Sequence, residues 1–100
     1  METNTSTTSM KSLPIAQESD PRQQIQSLII KIVKAMTDYP DELKVLYMVG
    51  EQTTVYRIKC HKSDVGKVIG KQGKNINSMR TILLAVAAKY KLRCVLELDE

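Results

Sequence analysis

VGKVIGKQGKNI, residues 65–76, holds three of the chain's four glycines (Gly66, Gly70, Gly73) and three lysines (Lys67, Lys71, Lys74). Glycine lets a backbone take positive φ or pass close to another group, and lysine brings a mobile positive charge. Ser63-Asp64 supplies an N-cap for a short helix, Val65 to Ile69, which Gly70 ends. A longer helix follows from about Lys74 to Tyr90, with Ile76, Met79, Leu83, Val86, Ala87 and Tyr90 along one side. Gly70-Lys71-Gln72-Gly73 then joins two helices and leaves the N-terminus of the second exposed. First-turn N–H groups, the helix dipole and the missing Cβ atoms make that geometry suited to phosphate.

The flanks define the rest of the domain. Arg93 to Leu98 alternates Cys94, Leu96 and Leu98 with Arg93 and Glu97, the period of a half-buried strand. Upstream, Leu43 to Val49 and Thr53 to Cys60 form two extended segments separated by Gly50-Glu51-Gln52; in the second, Tyr56, Ile58 and Cys60 alternate with Arg57 and Lys59. A first helix begins at Asp20, where Asp20, Pro21 and Gln23 fit an N-cap, first-turn proline and capping box. Ile25, Leu28, Ile29, Ile32, Val33 and Met36 carry its apolar stripe, and Tyr39-Pro40 is expected to end it. The order α-β-β-α-α-β predicts an α+β domain over residues 20–100, a three-stranded sheet with helices packed on one face. Residues 1–19, mostly Ser, Thr and Asn, read as a disordered arm with neither a signal-peptide core nor a transit-peptide pattern.

One hundred residues suffice for one small domain and its core. The net charge of +4 conceals an asymmetry: residues 57–93 hold ten basic side chains against one acid, Asp64, for a local +9, leaving −5 elsewhere. That favours a polyanionic partner over a small acidic metabolite, although a solvated basic face has the same composition. Cys60 and Cys94 have no CxxC spacing and read as small core residues in a reducing, cytoplasmic setting. His61 has no second histidine to complete a zinc set, so no metal or other cofactor is expected. No apolar run reaches the roughly 18–20 residues of a membrane span.

Two glycine motifs fail on spacing. A P-loop needs G-x-x-x-x-G-K-[ST], but Gly66 lies too close to Gly70 and Gln72 follows Lys71; G-x-G-x-x-G fails because Val68 stands where a glycine is required. DVGKVIGKQGKNI, in contrast, resembles the (I/V)-I-G-x-x-G-x-x-I core of the KH domain, and the element order is similar to its type II variant. The resemblance covers residues 20–100 and is greatest to small bacterial members made of a single such domain. It implies an RNA-binding protein, an RNA chaperone or post-transcriptional regulator, that holds single-stranded RNA with no small-molecule substrate and no membrane. The GxxG loop would clamp the backbone of about four nucleotides. Their bases would lie in an apolar groove walled by Val68, Ile69 and Ile76 on one side and Arg93 to Leu96 on the other. Lys67, Gly70, Lys71, Gln72, Gly73, Lys74 and Arg80 complete the expected RNA-binding set. The lack of Trp and Phe argues against stacking surfaces of the RRM, OB or cold-shock kind.

The resemblance also implies the competing role of a protein-interaction module, in which the GxxG helices pair with a second copy as a homodimer or with a larger KH-containing protein as a heterodimer. Catalysis finds little support: His61 has no adjacent carboxylate, Asp64 is accounted for as a helix-start charge, and Ser63, Ser78 and Cys94 stand isolated.

Overall fold

The computed structural model describes residues 20–100; the arm predicted for residues 1–19 lies outside them. Helix α1 (Pro21–Lys34) starts where the capping residues predict, and the Asp20 carboxylate accepts the Arg22 N–H at 2.9 Å. Strands β1 (Lys44–Val49) and β2 (Thr54–Lys59) follow, then the short helix α2 (Val65–Ile69), α3 (Lys74–Lys89) and β3 (Cys94–Leu98). The α-β-β-α-α-β order is therefore the one the sequence predicts. The sheet runs β1-β2-β3, with β1 antiparallel to β2 and β3 parallel to β2 across the α2–α3 crossover.

Burial follows the strand period. Val45, Tyr56, Ile58 and Leu96 on one face meet Ile25, Ile29 and Val33 of α1, Val68 of α2, and Ile76, Met79, Leu83 and Ala87 of α3. Tyr56 lies wholly inside, donates its hydroxyl to the Arg22 carbonyl at 2.8 Å, and burial pushes its phenol well above the ordinary range. Among the described residues the other sheet face carries no helix, and Leu46, Met48 and Val95 are exposed there. A helix side chain occupies one carbonyl on each outer strand: Gln26 donates to Val45 O at 2.7 Å, and Arg80 to Leu96 O at 3.2 and 3.1 Å. Occupied edge groups discourage pairing with a foreign strand.

Three sequence expectations need correction. The first helix stops at Lys34 rather than at Tyr39-Pro40, because the N–H groups of Asp38 and Tyr39 turn to the Asp64 carboxylate, each at 3.0 Å. Asp64 accordingly does not cap α2 with its side chain. Cys60 and Cys94 are free and half-buried, packed against the core rather than inside it, and burial pushes both thiols up.

Candidate nucleic-acid interface

Helix α2 has five residues, too few to hold itself, so its position is set from outside. Val68 is wholly buried in the core beneath it. At its start Asp64, 0% exposed, fastens the 38–39 connection; the Tyr39 ring stacks on His61 with centroids 3.9 Å apart, and His61 Nδ1 accepts the Ser63 N–H at 3.0 Å. Burial alone would raise the Asp64 carboxyl, but the two N–H donors and the charges of Lys67 and His61 pull it below the ordinary carboxylate value. At the other end, Asn75 donates its amide to Lys67 O at 2.8 Å.

That arrangement delivers Gly70 with φ 77° and ψ 169°. A Cβ there would stand 2.6 Å from Asn75 Cγ and 2.8 Å from the Asn75 backbone nitrogen. Gly73 has φ 78° and ψ 13°, and between the two glycines Gln72 also adopts a left-handed conformation at φ 58°. Gly73 N–H returns to Gly70 O at 3.0 Å, closing the loop, and no side chain caps the first turn of α3. Gly66 is different: nothing lies within 4 Å of where its Cβ would be, so this third glycine of the stretch has no local requirement.

The cations of the stretch divide into two kinds. Lys67 is bound by Asp38 and lies 3.7 Å from Asp64; the Asp38 hydrogen bond is the main reason its ammonium is held above the ordinary value. Lys71 and Lys74, exposed on the loop and the first turn of α3, pair with no carboxylate among the described residues. A phosphate there would meet two unneutralised charges.

Beside the loop is an open groove of about 560 Å³, with Ile69, Ile76 and Arg80 on the helix side and Glu97, Leu98 and Asp99 on the β3 side. Arg80 spans it, gripping Leu96 O and donating to Asn77 Oδ1 at 2.9 Å. Arg57 and Glu97 form an ion pair at 2.8 Å on its floor, and Lys59 stands 3.6 Å from Asp99. The loop side of the site is therefore basic and the interior of the groove mixed.

Of the residues singled out in the sequence, Ile69, Gly70, Lys71, Gln72, Gly73, Lys74, Ile76 and Arg80 converge on the loop and groove. Val68 does not reach the groove, because its side chain fills the core. Arg93 does not reach it either: it precedes β3 and lines a separate cleft with Arg22 and Lys91, while the groove wall is the Glu97–Asp99 end of the strand. The anchoring roles of Asp64 and Asn75 escape sequence reading; the one signal was Asp64 as the sole acid in a strongly basic segment.

Among the described residues, no three His, Cys, Asp or Glu side chains group as a metal site, and no helix is long and apolar enough to cross a membrane. The family model for the KhpA/KhpB KH domain matches residues 26–98. The chain is 39% identical over 74 residues to the RNA-binding protein KhpA of Clostridium acetobutylicum, covering 74% of this chain and 99% of that protein. It is 36% identical over 76 residues to the RNA-binding protein KhpA of Bacillus subtilis, with coverages of 76% and 94%. For the RNA-binding protein KhpA of Borreliella burgdorferi the identity is 42% over 71 residues, covering 71% and 87%. No solved structure gives a significant match. With a glycine loop between two helices, the type II order of elements and a family match over most of its length, the chain belongs to the KhpA/KhpB KH-domain family.

Proposed function

We propose that this protein binds single-stranded RNA in the cytoplasm as a non-catalytic RNA chaperone or post-transcriptional regulator. Lys71, Gln72, Lys74 and the backbone of Gly70–Gly73 take the sugar-phosphate chain. Ile69, Ile76 and Arg80 line the groove that receives the bases, while Lys67 and Val68 hold α2 in place. The observation that carries this reading is the pair of unneutralised lysines on a glycine-strained loop opening beside a groove of about 560 Å³. The relatives named as RNA-binding proteins support it. Affinity measured across salt for single-stranded RNA and for duplex DNA provides the test. Log affinity for RNA should fall with log salt at about −0.7 per phosphate neutralised, with duplex DNA bound more weakly. Salt-independent affinity, or preference for duplex DNA, would contradict the reading.

A second role is supported by Ile82 and Leu84, 48% and 65% exposed on either flank of the buried Leu83 in α3. Large exposed apolar side chains on a GxxG helix suit pairing with a second copy or with a larger KH-containing protein. Pairing would raise RNA avidity by joining two weak sites. Ile82→Asp should then sediment as a monomer at concentrations where wild type pairs, with the affinity of the single site retained.

A further inference from the structure

We infer that Arg22, Lys91 and Arg93 form a second phosphate site, so that an RNA strand held at the GxxG loop is gripped again beyond the opposite end of β3. The inference rests on the RNA-binding reading above and lengthens its footprint. Arg93 lies five positions before Leu98, roughly 16 Å along a strand rising ~3.3 Å per residue. There the β1–β2 hairpin, the start of α1 and the α3–β3 connection enclose a cleft of about 410 Å³, lined by Arg22, Lys91 and Arg93 with Glu51 as its one acid.

The three cations are placed differently. Arg22 is fixed, its Nε donating to Thr54 Oγ1 at 3.1 Å and a guanidinium nitrogen 3.7 Å from Asp20. Lys91 and Arg93 are exposed and pair with no acid among the described residues. Lys91 also sits at φ 56° in the turn that ends α3, where its N–H returns to Ala88 O at 3.1 Å and the Leu92 N–H to Ala87 O at 2.9 Å. Glycine is the usual occupant of that left-handed position, so a lysine there puts a charge where the backbone gains nothing from it.

The two basic ends are joined by a surface fit for sugars and bases. A hollow of about 250 Å³, lined mainly by Leu83, Leu84, Cys94, Val95 and Leu96, runs along β3 and shares Arg80 with the groove. A strand leaving the groove crosses this apolar floor before its next phosphates meet Arg93, Lys91 and Arg22. The loop alone accounts for about four nucleotides, so the second site predicts a longer binding unit.

The experiment compares oligoribonucleotides of about four and about twelve nucleotides, lengths within the usual range for single-strand sites. Wild type, Lys91→Asn/Arg93→Gln and Lys71→Asp/Gln72→Asp are each titrated across salt. Asparagine suits the left-handed backbone at 91, and thermal melts verify that both variants fold. The expected result is that Lys91→Asn/Arg93→Gln binds the short oligomer like wild type but loses roughly tenfold on the long one. Its salt slope on the long oligomer should also become shallower by about 0.7 for each phosphate it no longer neutralises. If that variant matches wild type on the long oligomer at every salt concentration while the loop variant loses both lengths, the second site is overturned and the loop stands. If the loop variant itself binds like wild type, the RNA-binding reading falls and the second site with it.

Discussion

Gly70 and Gly73 occupy equivalent places in the motif but pose different problems to the backbone. At φ 77° and ψ 169°, Gly70 is in a region open to glycine alone, and a Cβ would collide with Asn75. Gly73, at φ 78° and ψ 13°, is left-handed, a conformation asparagine tolerates. Gly73→Asn should therefore keep most of the stability and RNA affinity that Gly70→Asn loses, as thermal melts and RNA titrations of the two variants would show. Equal damage would mean that the loop conformation is not what the motif protects. Gly66, helical and facing open space, predicts the opposite sign: Gly66→Ala should stabilise the protein by roughly 0.5–1 kcal/mol, a rise in Tm of about 2–8 °C, with RNA affinity unchanged.

Among the elements, α2 has the most influence on the site and the least stability of its own. Asp64 secures its N-terminal end as a buried carboxylate whose pKa is lowered in the fold. A carboxyl depressed below its unfolded value of 3.8 contributes stability above that value and loses it as pH falls further through the folded pKa. Asp64→Asn should consequently lower Tm at neutral pH, and its deficit relative to wild type should shrink as pH is taken below about 4. Melts of both proteins from neutral to acid pH test this, and a constant deficit would show that the charge is not what anchors α2. The same contact explains why the end of α1 could not be read locally. Nothing between Ala35 and Asp38 forbids helix in the sequence; the chain leaves it because Asp38 and Tyr39 find a hydrogen-bond acceptor more than twenty residues away. The start of α1, the end of α2 and the start of α3 were legible because Asp20-Pro21 and the glycines act on their own neighbours.

At the scale of the whole molecule, the charge is arranged around strand β3. The loop lysines stand beside one end of it, Lys91 and Arg93 at the other, and acids from Glu97 onward lie in the groove between helix and strand. The sequence revealed that residues 57–93 were basic and that the glycine loop joined two helices. It did not separate Lys67, neutralised by Asp38 across the fold, from Lys71, which has no acidic partner among the described residues, nor place Arg93 outside the groove. Those distinctions depend on the direction of β3 and on a partner from the 35–43 connection, neither of which is encoded near the motif.

In the proposed mode of binding, Lys71, Gln72 and the Gly70–Gly73 backbone hold the phosphates of single-stranded RNA. The most direct measurement is the RNA affinity of Lys71→Asp/Gln72→Asp against wild type at matched low salt, with Tm recorded for both. Both side chains are exposed, so the variant should melt within a few degrees of wild type. Two negative charges in place of a phosphate contact should weaken binding by more than the ~1.5–3 kcal/mol of one charged hydrogen bond, upwards of tenfold. A folded variant that binds RNA as tightly as wild type would contradict the account.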